Sequence, residues 1–281
     1  MSEPASLSQE LVYGCMTHIP LWFDFPSFVT PLYMGDAQNE GSVNLRDHAP
    51  EWVPHHPILG SLAGLFALKN YVQLHHPTAK HVGVCQYRKF ISNSEIGVSA
   101  ANYQVMNVVS RQEVSTLPLA ELMLPAPGAD FLLGKPCTFG TPPKRMGYLE
   151  QYNSVHPIED LLRFTALAVE LGVLTRKEVM FFLNQTAFLP GGIELGVYPA
   201  AFWIESVSAI EKVIRACVVR HPRKRPGYQA RAWAFCSERL GSYMLLRYFK
   251  TQTPQVRWTK EYTGRMVLVN ADESTTYVGG V

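Results

Sequence analysis

Residues 11 to 16, LVYGCM, are an unbroken apolar, β-prone run that gives way at once to Thr17, His18 and Pro20. That pattern predicts a buried strand ending in a loop. Residues 31 to 34 predict a second short strand, closed by Gly35 and Asp36. After a polar stretch, 37 to 57, apolar residues recur at 58, 62, 65, 68 and 72 in ILGSLAGLFALKNYVQL. This is one face of a helix of period near 3.6, and its small residues predict close packing. HVGVCQYRKF is then another short apolar strand running out into a polar tip. Strand, strand, helix, strand is the order of an α/β sheet, in which loops at strand ends are available for ligands.

Further along, YQVMNVV reads as β, LPLAELML as a short helix, and ADFLLGKP as a strand starting at Asp130 or just after. From Pro157 the chain becomes helical. Pro157 suits a first helical position, Glu159 and Asp160 suit the positive helix start, and Gly172 makes a stop. Thr175 with Glu178 forms a capping box, and Ser208 with Glu211 is read as the cap of a third helix. In that helix Val207, Ile210, Ile214, Cys217 and Val218 share a face. The last helix is expected from about Tyr228 to Phe249, and RMVLVN is expected to add an edge strand. No internal repeat or low-complexity linker is visible.

Several classes are excluded. With 25 Lys and Arg against 23 Asp and Glu, the net charge of +2 argues against wholesale nucleic-acid binding. The longest uncharged apolar run, Ile58 to Leu68, is far short of the roughly 18 to 20 residues a membrane span needs. Cys15, Cys85, Cys137, Cys217 and Cys236 are odd in number and never spaced CxxC, so no zinc pattern exists. MSEPASLSQE lacks a basic region followed by an apolar one and is not read as a secretory signal. The expected compartment is the reducing cytoplasm, with the cysteines as small core residues. GSLAG has its Ser in the wrong place for a nucleophile elbow, GKP lacks the rest of a phosphate loop, and GGIELG does not complete a dinucleotide fingerprint.

Five local features carry chemistry. His55 with His56, and His75 with His76, are metal-ligand candidates, although adjacent loop side chains more often diverge. RHPRKRPGYQAR, residues 220 to 231, holds five Lys or Arg and no acid. It reads as a solvated loop or as a contact for anionic lipid or pyrophosphate. QYRKF places Arg88 and Lys89 directly after a buried strand, where Arg88 can grip phosphate through two parallel bonds or form a structural ion pair. LPGGIELGVYP concentrates glycines around Glu194, as a site of close backbone approach or a plain turn. Glu238 and Arg239 lie inside an apolar helix, where an acid needs a partner or a purpose.

Taken in order, these segments resemble the bacterial domain-of-unknown-function family 4422, placed among GT-A-type glycosyltransferases of capsule and lipopolysaccharide gene clusters. The resemblance covers about residues 10 to 250. The family's Thr-His step looks like MTH at Met16 to His18, and its Gly-Asp-Asn segment like Gly35, Asp36 and Asn44. Its ELTALYWIWKN helix looks like GSLAGLFALKN, its GLxHYRRYF like GVCQYRKFI, its EQYxxxHxxxDL like EQYNSVHPIEDL and its RxxGFxxERL like RAWAFCSERL. Two positions depart: the Glu of ELT is Gly60 here, and the His of HYRR is Gln86.

The resemblance implies a single GT-A-like (Rossmann-like) domain over 1–281, with a mixed central sheet flanked by helices, a helical C-terminal half and a tail at 251–281. It implies transfer of a sugar from a nucleotide diphosphate sugar, a UDP-sugar first, to a surface-polysaccharide or lipid-linked acceptor. The alternative is a non-catalytic glycan-binding or assembly protein, which the two departures favour. In this reading Thr17, His18, Asp36 and Asn44 contact base, ribose and phosphate. Arg88, Lys89 and Arg239 stabilise the departing diphosphate, and Glu194 or Glu238 deprotonates the acceptor. No metal ligands are assigned. A divalent cation, manganese or magnesium, fits the family type, but the DxD motif is absent and Arg88 with Lys89 stands near its expected place. Nucleic acid is not expected as a partner. The 220 to 231 stretch implies peripheral contact with the inner face of a membrane.

Overall fold

The computed structural model describes residues 10–36, 39, 41–101, 103–140, 144–222, 225–252, 262–272 and 274–276. The chain opens with strands β1 (Leu11–Thr17), β2 (Val29–Tyr33) and β3 (Val43–Asn44), then a short helix α1 (Leu45–His48), a 3-10 turn over Pro50–His55 and a second short helix α2 (His56–Leu59). Helix α3 (Ser61–His75) leads to β4 (His81–Gln86), β5 (Lys89–Ser92), β6 (Val98–Ala100) and β7 (Tyr103–Ser110). Short helices α4 (Arg111–Val114) and α5 (Leu119–Leu122) precede β8 (Leu133–Gly134) and β9 (Cys137–Thr138). The later part carries α6 (Tyr148–Val155), α7 (Ile158–Glu170), α8 (Val179–Leu183), β10 (Ala187–Phe188), β11 (Gly196–Pro199), α9 (Ala200–Arg220), a 3-10 turn at Gly227–Arg231, α10 (Ala232–Gln252) and β12 (Thr263–Asn270).

The main sheet has ten strands with the path β3-β2-β1-β4-β5-β12-β7-β6, while β11 pairs with β4 and β8 with β12. Neighbours β3, β2, β1 and β4 run parallel, as do β7, β12 and β8; β5, β6 and β11 run antiparallel to their partners. Along β1 the pleat sends Val12 and Met16 to one core and Leu11, Tyr13 and Cys15 to the other. Both faces are therefore covered, which is why the run LVYGCM has no polar alternation. Helix α3 packs close to β1, since a Cβ at Gly64 would lie 2.5 Å from the Met16 sulfur. Helices α3, α7, α9 and α10 share one core.

Several local expectations are corrected. The HVGVCQYRKF segment is two strands, because the chain reverses at Tyr87 and Arg88 and pairs Gln86 with Lys89. The long apolar helix is broken at Gly60, which adopts φ +57. Pro157 stands one residue outside α7 rather than at its first position. Ser208 caps nothing: α9 already runs from Ala200, and the Ser208 hydroxyl donates to the Ile204 carbonyl at 2.7 Å. RMVLVN belongs to β12, which lies between β5 and β7 rather than at an edge. Its residues 266 to 269 are buried without alternation, as a strand covered on both faces requires. The Gly172 stop holds, with Gly172 donating to Val169 and Val173 to Ala168. Among the described residues no helix is long and apolar enough to cross a membrane.

Candidate active site

A cleft of about 970 Å³ opens where parallel strands β1 and β4 end. Its wall on the sheet side is Met16, His18, Gln86, Tyr87, Arg88 and Lys89. Opposite stand the first turn of α3, the 189 to 195 turn and one face of α10, with Phe235, Glu238 and Arg239. That turn comes close to α10 as its glycines predicted: Gly192 has φ +50, and a Cβ there would lie 3.1 Å from the Glu238 carbonyl oxygen.

Glu194 is the centre of the site. It is only 6% exposed. Its Oε2 accepts from the Ser61 hydroxyl at 3.1 Å, and Ser61 Oγ in turn accepts from Gln86 Nε2 at 3.1 Å. Glu194 Oε1 is buried with no hydrogen-bond partner. Burial first, then the Glu238 charge, push the Glu194 acid up to about 8, against the pull of Ser61, Arg231 and Lys89. Both causes favour the protonated acid. Glu238 lies half-buried in the same cleft.

Four cations face this pair. Arg88 packs at 5.7 Å from the Tyr87 ring centre, and Lys89 follows it. Arg231 enters from the end of the 3-10 turn, 6.0 Å from the Phe235 ring centre, with a buried and unpartnered Nε. Gly60 makes room for it, since a Cβ there would lie 2.7 Å from Arg231 Nη2. Arg239 is 5% exposed, donates to the Phe235 carbonyl at 2.7 Å and to Gln151 Oε1, and lies 4.8 Å from the Tyr152 ring centre. Neither Glu238 nor Arg239 enters an ion pair among the described residues. An internal ion pair thus does not account for these two charges.

Histidines and aromatic rings form the walls. The His18 ring meets Tyr87 edge-on at 5.1 Å, and burial followed by Arg88 and Arg231 lowers its basicity. His56 is lowered by burial, His18 and Arg231, against Asp36. Burial lowers His156, opposed by its bond to Gln229 and aided by Arg239. On the α10 side His156 stacks on Phe235 at 4.3 Å, and Tyr228 follows at 4.7 Å from Phe235.

Of the residues expected at the site, His18, Arg88, Lys89, Glu194, Glu238 and Arg239 line the cleft; Thr17, Asp36 and Asn44 do not. The Thr17 hydroxyl is turned to the Ile19 carbonyl. The Asn44 amide donates to the Ser42 carbonyl at 2.8 Å and to Asp47 at 3.0 Å, so it closes its own loop. Asp36 is exposed after β2 and reaches the site only as a charge felt by His56. The basic stretch is dispersed: Arg220 pairs with Glu170 at 2.7 Å, Arg225 with Glu159 at 2.8 Å and Asp160 at 3.0 Å, and Arg231 turns into the cleft. Arg223 and Lys224 lie outside the described residues. Those ion pairs take Arg220 and Arg225 out of a free basic face.

Ser61, Gln151 and Phe235 also line the cleft and were not singled out by sequence, and His56, expected only as a metal-ligand candidate, lines it too. Ser61 lies in GSLAG, whose spacing does not fit a nucleophile elbow and otherwise marks only a helix. The cleft does not fit a divalent cation, because its two carboxylates lie among arginines and a lysine and no group of three or more potential ligands occurs among the described residues. A second hollow of about 480 Å³, along the outer face of α9, is floored by already paired charges such as Glu211 and Arg215.

No family model matches the chain, and no curated protein does. A solved apo structure of WbbM, a bifunctional glycosyltransferase, matches with a TM-score of 0.65 over 92% of this chain at 13% identity. The chain spans 45% of that protein's length. At this identity the likeness is one of fold, and the fold is GT-A-like: a mixed, mostly parallel sheet flanked by helices, with a helical C-terminal part.

Proposed function

We propose that the chain is a glycosyltransferase of the family 4422 type, moving a sugar from a nucleotide diphosphate sugar, a UDP-sugar first, to a hydroxyl of a surface-polysaccharide or lipid-linked acceptor. The observation that carries this reading is one carboxylate pair, Glu194 and Glu238, set in a cleft with Arg88, Lys89 and Arg231 at the strand ends of this fold. Glu238 is the base: it takes the acceptor proton as the acceptor oxygen bonds to the anomeric carbon. The bond from that carbon to the diphosphate breaks, and its electron pair leaves with the diphosphate oxygen. Arg88 and Lys89 stabilise the charge that develops there. Glu194, its acid raised by burial and by the Glu238 charge, stands in the cleft wall as a hydrogen-bond donor to substrate when it is protonated.

A donor-binding measurement tests the reading. A UDP-sugar raises the thermal midpoint of the wild type in the presence of chelator, because a ligand at about 100 times its dissociation constant adds roughly 2.7 kcal/mol. Arg88→Ala removes that shift. Glu238→Gln keeps donor binding and the wild-type midpoint but loses transfer by about a hundredfold or more. Full transfer by Glu238→Gln refutes the base assignment. The non-catalytic reading is favoured by Gln86, whose amide is held by Ser61 where the resembling family carries an imidazole. It predicts glycan binding by the wild type with no turnover of any nucleotide sugar.

A further inference from the structure

Helix α8 has five residues, and at 100° per residue they divide cleanly. Phe182 and Leu183 turn into the core, where the Phe182 ring meets Tyr148 at 5.7 Å and Tyr243 at 5.4 Å. Met180 and Phe181 consequently point outward and are 63% and 67% exposed. The helix cannot roll to hide them. Glu178, just before it, is fixed by Arg247 at 3.0 Å and by the Thr175 amide and hydroxyl, each at 2.8 Å.

The surroundings are cationic. Arg176 and Lys177 are exposed and immediately precede this turn. The 145 to 148 segment runs beside its end: Tyr148 donates its N–H to the Gln185 carbonyl at 3.1 Å, and a Cβ on Gly147 would lie 2.9 Å from the Asn184 Cα. Exposed Arg145 is two residues from that contact. Arg145, Arg176 and Lys177 enter no ion pair among the described residues, whereas the neighbouring acids Glu178 and Glu150 are paired with Arg247 and Lys144.

We propose that Met180 and Phe181, with Arg145, Arg176 and Lys177 about them, dock the protein on an anionic lipid surface. Two large apolar side chains held outward, with unpaired cations close by, match the apolar interior and anionic headgroups of a bilayer at its interface. Two apolar side chains are far fewer than the roughly 20 to 30 residues a side that a stable protein interface uses. The docking site is separate from the 220 to 231 stretch, whose Arg220 and Arg225 are held by acids, and it does not depend on the chemistry of the cleft. Phe188, which lines the cleft, lies only seven residues beyond Phe181.

Flotation of the full chain with phosphatidylcholine vesicles, with and without phosphatidylglycerol, tests this. The wild type is expected to float with anionic vesicles at low salt and to lose most of that binding at high salt. M180S/F181S should lower the partition coefficient about tenfold or more while keeping the wild-type thermal midpoint, since neither side chain packs in the core. R176E/K177E should abolish binding to the anionic vesicles. In F181W the indole emission should shift to the blue on binding and be quenched by brominated lipid. No flotation of the wild type at low salt, or equal flotation of M180S/F181S, overturns the proposal. Self-association that M180S/F181S abolishes, without wild-type flotation, also overturns it and makes this surface a contact between copies.

Discussion

Glu238 stands inside an apolar helix, where an acid is expensive, and that misfit was visible along the chain; Glu194 was marked there only by the glycines around it. Burial and the second carboxylate raise Glu194 in the folded protein to about 8, above its ordinary value of 4.5. Between those limits the folded state binds a proton the unfolded state has released, so stability falls as pH rises through the window. Glu194→Gln removes this titration. Its thermal midpoint is expected to be flatter than that of the wild type between about pH 5 and about pH 9, with the largest gain at the alkaline end. Equal slopes would show that Glu194 is ionised in the folded state. The partners of Glu194 were not legible in the same way, since Ser61 lies 133 positions away and a serine opening a helix looks the same whether it caps, faces solvent or binds an acid. Asn44 shows the converse: a polar residue in a polar loop has the composition of a ligand contact, and its amide serves the loop.

At the scale of elements, α3 and α9 are joined by a buried charge as well as by apolar packing. Glu211 accepts from Lys69 at 2.5 Å, Trp52 at 2.8 Å and Arg215 at 2.9 Å, with Arg215 also 4.8 Å from a Trp52 ring centre. Glu211→Ala leaves Lys69 buried and uncompensated and is expected to lower stability by about 3 to 5 kcal/mol. Replacing both partners with apolar residues, as in K69M/E211L, should recover much of that loss, and urea denaturation measures both. The sequence marked α9 by its apolar stripe, yet it assigned Glu211 to a cap with Ser208. Residues three apart on a helix carry the same spacing whether they start it or lie in its middle. The N-terminal boundary was decided instead by Pro199, which ends β11, and by Trp203, buried one turn later.

For the whole molecule, β12 is the decisive strand. It arrives from the far end of the chain and pairs with β5, β7 and β8. We read the described chain as one cooperative unit for that reason. Truncation after Gln252 should abolish cooperative unfolding, measured by circular dichroism on heating, where loss of an edge tail would only shift the midpoint. The sequence by itself determined the alternation of strands and helices, the burial of β1 and the misfit of Glu238 and Arg239 in an apolar helix, because hydrophobic periodicity and charge in an apolar context are properties of neighbouring residues. Tertiary structure decided that RMVLVN is central, that Arg231 lines the cleft while Asn44, expected as a nucleotide contact, does not, and that Gln86, Ser61 and Glu194 form one hydrogen-bonded chain. Those outcomes depend on which strands lie side by side and which helix closes over their ends. That closure is set by how every apolar face is buried at once, and no local stretch contains it.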